Sequence, residues 1–449
     1  MADTVTNWFG NIVSHPAAIV EAASVADIVA VMKDPGRYPS PVRAVGSNHS
    51  TSPCGTADGG TLIKMSKMNA IDIGTDTVTA QGGAIYIDIA KELEKRNLQF
   101  YVNTEIGSLS AGSAACCGTK DASMPGEYGQ VNSYISRIKM VLPAGDLLEV
   151  TDDQPELMQT VRSSYGTFGV VYETTFRVRP IVPMAVRHQT FTLEDFTARL
   201  PELKAGGESM MYYIFPFEDL ITVEFRRYNP GAAGPPNRVA WPLRNYMWAN
   251  AGPLFCSQVE KDIPNKDVRY GVINGFCAVW RFKLENLVKG DNTVATDQII
   301  RYPTVADNSR YTFSLSAFPE AAYAGVLAEY FDFCKRYYKQ AGYRTNMLNV
   351  GYWISQDRSS LLSYSYDGPM MTIDPVSTGN PGWTEFLIAY NEFCSAHGGV
   401  PLFNQTDAIT PAQVQAALGD RLKTFAAARR NYDPSGRLLN AYFREMLGE

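Results

Sequence analysis

RAVGSNHSTSPCG, running from Arg43 to Gly55, is the stretch that decides how the rest of the chain is read. Val42 and Val45 read as the end of a buried strand, Gly46 permits backbone angles closed to other residues, and Ser47 to Ser52 offer consecutive N–H groups and hydroxyls to an anion. A turn of that kind can cradle a pyrophosphate, and His49 then lies beside whatever the anion belongs to. A histidine flanked by serines in a loop is also read as a solvated or capping residue, so the motif takes its meaning from its company further along.

The chain has 449 residues, more than one hydrophobic core usually supports, so two or three domains are expected. With 45% hydrophobic and 19% charged residues it is an ordinary globular composition, and a formal charge of −6 argues against a nucleic-acid surface. The start, MADTVTNWFGNIVSHP, has an acidic residue where a basic signal region would be, and no later run of about 18 uncharged apolar residues could span a bilayer. The expectation is a cytoplasmic protein with a small-molecule substrate and with neither nucleic acid nor membrane as partner.

Seven widely scattered cysteines make a disulfide framework improbable, and without a CxxC or an HExxH among four dispersed histidines no metal site is expected. Cys116 and Cys117 are adjacent and read as pointing to opposite faces of a strand. Up to about Pro183 the pattern is α+β around one strong helix, Tyr86 to Arg96. From Met184 to about Gly399 a second α+β region is richer in aromatics, with strands such as RYTFSLSAF and a helix from about Glu320 to Gln340. The last segment reads as a helix from about Pro411 to Arg430, the turn YDPSGR and a short final helix. The GxG of the dinucleotide fingerprint, the GxxxxGK[ST] loop and the GxSxG elbow are all missing, so another phosphate-binding scaffold is needed.

Four segments supply one. RAVGSNHS is followed by TLIKMSKMNAID (Thr61 to Asp72), TVTAQGGA (Thr77 to Ala84), SLSAGSAACCGTKDAS (Ser108 to Ser123) and SSYGTFGVVYETTFRVRP (Ser163 to Pro180). In that order they resemble the vanillyl-alcohol oxidase superfamily, flavoproteins with the p-cresol methylhydroxylase type FAD domain. The C-terminal FAAARRNYDPSGRLLNAYFREML (Phe425 to Leu447) is similar to the ending of the aldonolactone and alditol oxidase branch.

The resemblance implies an α+β fold: a two-subdomain FAD-binding domain over 1–183, an inserted α+β substrate (cap) domain over 184–400, and a segment 401–449 returning to the cofactor. It implies FAD held by Arg43, Val45, Gly46, Ser47, Asn48, His49 and Ser50 in the pyrophosphate turn. Gly112, Ser113, Cys116, Cys117 and Gly118 would form a second wall, and Gly166, Gly169 and Val171 a turn before an edge strand. His49 stands where covalent members attach a ring nitrogen to the flavin dimethylbenzene methyl group, so one covalent bond is expected.

The branch's Glu-x-Arg pair and HWxK segment are not matched. The stretch GYWISQDRSSLLSYSYDGPMMTID (Gly351 to Asp374) places Gly351 and Trp353 at the pair and Asp374 at a histidine, and LFNQ places Gln405 at the lysine. A pocket without those charged groups and with Tyr352, Trp353 and Tyr364 suggests a less polar or aromatic substrate. Asp374 is then the candidate for proton transfer, and Asn404 and Gln405 the candidates for orientation. The expected reaction removes a hydride from a C–H next to a hydroxyl or amine, with oxygen as acceptor and peroxide as product. The alternatives are a flavin dehydrogenase of a sugar lactone or alditol, and a non-redox flavin-dependent isomerase or binding protein.

Overall fold

The computed structural model describes residues 4–236, 238, 240–302 and 310–449; Met1–Asp3, with the acidic residue noted at the start, lie outside them. The strands Ala18–Glu21, Val42–Val45 and Thr61–Lys64 form a small parallel sheet with Thr61–Lys64 in the middle. The helix Val25–Lys33 connects the two outer strands, a crossover of the kind parallel strands require. Ser24 and Asp27 begin it as a capping box, each side chain bonding the other's backbone N–H. Ile28, Val31 and Met32 are the face it buries.

A second, antiparallel sheet holds Ile135–Val141, Leu147–Thr151, Thr77–Gln81, Ile71–Ile73, Leu98–Phe100 and Val170–Pro180. Val170–Pro180 is central here, paired with Ile135–Val141, with Thr77–Gln81 and, near its end, with Leu98–Phe100, so the expected edge strand is corrected. Its uninterrupted VVYETTFRV run is what a strand with two covered edges can carry. The expected helix is present as Tyr86–Glu94, burying Ile89 and Leu93.

From Met184 onward an eight-stranded sheet runs in the order Gly290–Thr293, Met184–Thr192, Leu220–Tyr228, Ser209–Phe215, Asn349–Ile354, Met370–Ile373, Ser316–Pro319 and Val400–Pro401. RYTFSLSAF is two short strands, not one: Thr312–Phe313 pairs with Val376–Ser377 in a separate ladder. The long helix begins at Tyr323 after a single 3₁₀ turn and ends at Ala341 with Gly342 at φ 67°, a left-handed cap. The C-terminal helix expected as one piece is broken into Pro411–Leu418 and Asp420–Tyr432, because Gly419 adopts φ 53°. Two further helices, Gly252–Asp262 and Lys266–Leu287, form a hairpin that the sequence pattern did not announce. The α+β fold is as expected, and its strands converge on one cleft.

Candidate active site

The strand Val42–Val45 delivers the chain into that cleft, which encloses ≈ 1600 Å³ with the solvent at its mouth included. Val45, Gly46, Ser47, Asn48, His49 and Ser50 all border it. A Cβ on Gly46 would lie 2.0 Å from Ser110 Oγ, so only glycine lets the turn press against the start of the helix Ala111–Cys116. Asn48 takes φ 54°, a left-handed angle that asparagine tolerates, and its amide donates to the Thr6 carbonyl at 2.9 Å.

The second wall is helical. Gly112 and Ser113 sit in the first turn of Ala111–Cys116 and border the cleft, so the strand reading of Cys116 and Cys117 is corrected. Cys116 ends the helix and Cys117 caps it, and both reach the cleft beside Cys54 because a helical turn keeps neighbours on adjacent rather than opposite faces. Gly118 does not border the cleft; a Cβ there would lie 2.8 Å from Leu402, so its smallness serves packing against the C-terminal segment. Gly166, Gly169 and Val171 do border it, and Gly166 holds φ 68°.

Arg43 also touches the cleft, but its guanidinium is occupied. It donates to the carbonyls of Cys54 at 2.8 Å, Tyr165 at 2.6 Å, Gly166 at 3.2 Å and Leu438 at 2.9 Å. Burying the cation is tolerable because four acceptors replace water, and the result ties the strand end to the turn at Gly166 and to the C-terminal segment.

His49 stacks on Trp8, with ring centroids 4.9 Å apart and planes at 20°, and meets Tyr302 edge-on at 6.1 Å. Burial among these rings lowers its pKa to about 4, so the imidazole is neutral at physiological pH.

At the cap side the cleft is charged. Lys120 Nζ lies 3.2 Å from Asp374 Oδ2 and 3.4 Å above the Tyr352 ring. Burial raises the Asp374 pKa to about 6 against the opposing pull of Lys120, and Oδ1 of the same carboxylate has no hydrogen-bond partner. Glu105 accepts from Tyr352 at 2.7 Å and is ion-paired with Arg244, whose pKa burial lowers to about 10. Tyr302 and Tyr311 share a 2.6 Å hydroxyl contact on the same wall. Asn404 and Gln405 border the cleft, and Asn404 Oδ1 is buried without a partner.

Two expectations for this end are corrected. Val350 and Tyr352 project from Asn349–Ile354 into the cleft, whereas Gly351 and Trp353 alternate to the other face. There a Cβ on Gly351 would lie 2.2 Å from the Tyr212 ring, and the Trp353 indole donates to Glu320. Neither side chain reaches the cleft; the strand offers it Val350 and Tyr352, and its charged groups come from Lys120, Glu105 and Asp374. Trp353→Phe is expected to lower the thermal midpoint while leaving kcat/KM within about twofold, as for a packing change remote from the reacting atoms, measured by thermal denaturation and steady-state kinetics. Tyr364 is buried beneath the site and does not border the cleft.

Lys120, Glu105, Arg244, Trp8 and Trp248 were not singled out from the sequence. Lys120 alone carried a signal, standing in the glycine-rich GTKDAS segment; Arg244 lies on Ala240–Tyr246, far from every motif.

The cleft fits FAD: the glycines Gly46, Gly82, Gly112 and Gly166 line it beside the hydroxyls of Ser47, Ser50, Ser110 and Ser113, and the smallness of Gly46 and Gly112 lets the turn, Ser110 and Gly82 close up into one wall. Residues 16–151 match the FAD binding domain family. The chain is 23% identical over its full length to the full length of L-gulono-1,4-lactone dehydrogenase from Mycobacterium tuberculosis. It is 24% identical to L-gulonolactone oxidase from Scyliorhinus torazame, over 48% of this chain and 50% of that one. The fold matches cholesterol oxidase from B. sterolicum with a TM-score of 0.81 at 16% identity, covering 100% of this chain and 97% of that structure. Residues 16–151 are thus an FAD binding domain, and with oxidoreductases as its relatives in sequence and fold the chain is an FAD-dependent oxidoreductase.

Proposed function

We propose that the protein oxidises a hydroxyl-bearing carbon of a compact polyhydroxylated substrate of the sugar-lactone kind, with FAD carried by residues 1–183 and 401–449 and the substrate covered by 184–400. The observation that carries this reading is the buried ionic contact of Lys120 with Asp374 on the cleft wall, with Glu105, the ion-pair partner of Arg244, on the same wall. Buried charged and amide groups with unfilled hydrogen-bond capacity disfavour an apolar ligand by about 1–3 kcal/mol for each group left unmet. A ligand rich in hydroxyls meets them. The full-length relative named a gulonolactone dehydrogenase supports the same class.

The bound FAD would supply the hydride acceptor. Asp374 takes the hydroxyl proton at its free Oδ1 while Lys120 grips Oδ2 and keeps the carboxylate ionised against its burial. Glu105 and Tyr352, hydrogen-bonded to each other, and the Asn404 and Gln405 amides orient the remaining hydroxyls, with Arg244 holding Glu105 in place. His49 holds the flavin through one covalent bond, a role its neutral imidazole suits. If so, the yellow colour stays in the pellet after acid precipitation of the wild type and moves to the supernatant in His49→Ala. Free FAD in the wild-type supernatant would remove the covalent bond from this reading and leave the cofactor in place.

A second reading, a less polar or aromatic alcohol or amine, draws on the cleft-lining rings of Trp248, Tyr302, Tyr311 and Phe313. The two separate in one experiment. Under anaerobic conditions, L-gulono-1,4-lactone and related aldonolactones should bleach the flavin band and aromatic alcohols or amines should not; the reverse result overturns the proposal. Readmitting air with a peroxide assay, alongside a dye acceptor, then distinguishes an oxidase from a dehydrogenase.

A further inference from the structure

Eight of the twelve large hydrophobic side chains that are exposed among the described residues fall between Leu243 and Leu287. Four of them, Val268, Val272, Val279 and Phe282, lie on one side of the helix Lys266–Leu287. Its inner side buries Ile273, Cys277, Trp280 and Leu284 against the cap, while every exposed position from Val268 to Phe282 is valine, glycine, alanine or phenylalanine. Val268, Val272, Gly275, Val279 and Phe282 recur at alternating steps of four and three, the seam by which one helix packs along another. Phe282 is 65% exposed, and no atom of its own chain explains why it is not polar.

The glycines identify the occupant. Gly271 and Gly275 lie in the middle of this helix, where glycine weakens it, and a Cβ added at either would meet no atom within 4 Å. Nothing among the described residues needs them small. A spacing of four puts both on the exposed side, where they would let a second backbone come close. A lipid surface asks for bulky apolar groups with a basic polar face and gains nothing from a glycine notch.

We propose that this face is the two-fold interface of a homodimer, in which the helix Lys266–Leu287 pairs antiparallel with its copy. A two-fold axis near Gly275 would set Phe282 of one chain over Val268 of the other and Val279 over Gly271, large against small at both ends. The helix has 22 residues, so it spans about 33 Å. With its hairpin neighbour, Gly252–Asp262, about 10 Å to one side and exposing Leu254, the strip measures on the order of 660 Å², close to the roughly 800 Å² per partner of a standard interface.

Sedimentation velocity of the flavin-loaded wild type at micromolar concentration should give twice the chain mass. Phe282→Asp should raise the dimer dissociation constant about 100-fold or more, as for a central anchor. Gly275→Leu separates folding from pairing: since its side chain meets nothing in the monomer, the thermal midpoint should rise or hold while the dimer is lost. A wild type that stays monomeric at tens of micromolar, or variants that stay dimeric, overturns the proposal. So does flotation of a monomeric wild type with phosphatidylcholine and phosphatidylglycerol vesicles that Phe282→Asp abolishes, an outcome that would assign the face to a membrane.

Discussion

Asp374→Asn should lower kcat by about 10²–10⁴-fold with the flavin spectrum unchanged, because it keeps the side chain's size and removes the carboxylate that pairs with Lys120 at the cleft. The pH profile carries the sharper test. A base works only when deprotonated, and the Asp374 carboxyl is held at about 6 by burial against the pull of Lys120. Wild-type kcat should therefore fall roughly tenfold per unit as the pH drops below that midpoint, and level off above it. In Asp374→Asn the residual rate should lose this limb. Lys120→Met, which removes the opposing cation but leaves the burial, should move the midpoint upward. A pH limb that persists in Asp374→Asn would assign the proton transfer to another group, and a midpoint that moves downward in Lys120→Met would show that the two side chains are not coupled.

Gly46→Val should yield protein that folds without flavin. The added Cβ would lie 2.0 Å from Ser110 Oγ and 2.5 Å from its Cβ, too close for either side to yield, so the turn must leave the helix Ala111–Cys116 and the cleft wall they share. The absorbance ratio of the flavin band to the protein band measures the loss directly. Circular dichroism decides whether the fold survives, and Ser110→Gly in the same background, which removes the clashing side chain, should restore part of the flavin content. Full flavin loading in Gly46→Val would place the cofactor's phosphates elsewhere.

The sequence by itself determined the parts of this protein that rest on local backbone chemistry. RAVGSNHS could be read because a glycine turn after a strand, with hydroxyl and amide donors in register, was followed by the other four segments in order, and the turn borders the cleft. The helix Tyr86–Glu94 could be read because its apolar residues recur at helical spacing. The α+β class followed from such signals, and so did the order of the FAD-domain segments.

What only the tertiary structure decided are the relations between residues distant in the chain. Lys120 and Asp374 are 254 positions apart, and Glu105 lies in a loop while Arg244 lies on the helix Ala240–Tyr246, so no spacing rule could pair them. The role of Arg43 was hidden for the same reason, since the carbonyls that occupy it include Tyr165 and Leu438. At Gly351 and Trp353 the failure was one of register: a strand turns alternate side chains to opposite faces, and shifting attention by a single residue exchanges the substrate cleft, with Tyr352, for the packed core behind it. Phosphate turns announce themselves because backbone does the binding, whereas the substrate end is assembled by side chains that long-range packing alone brings together.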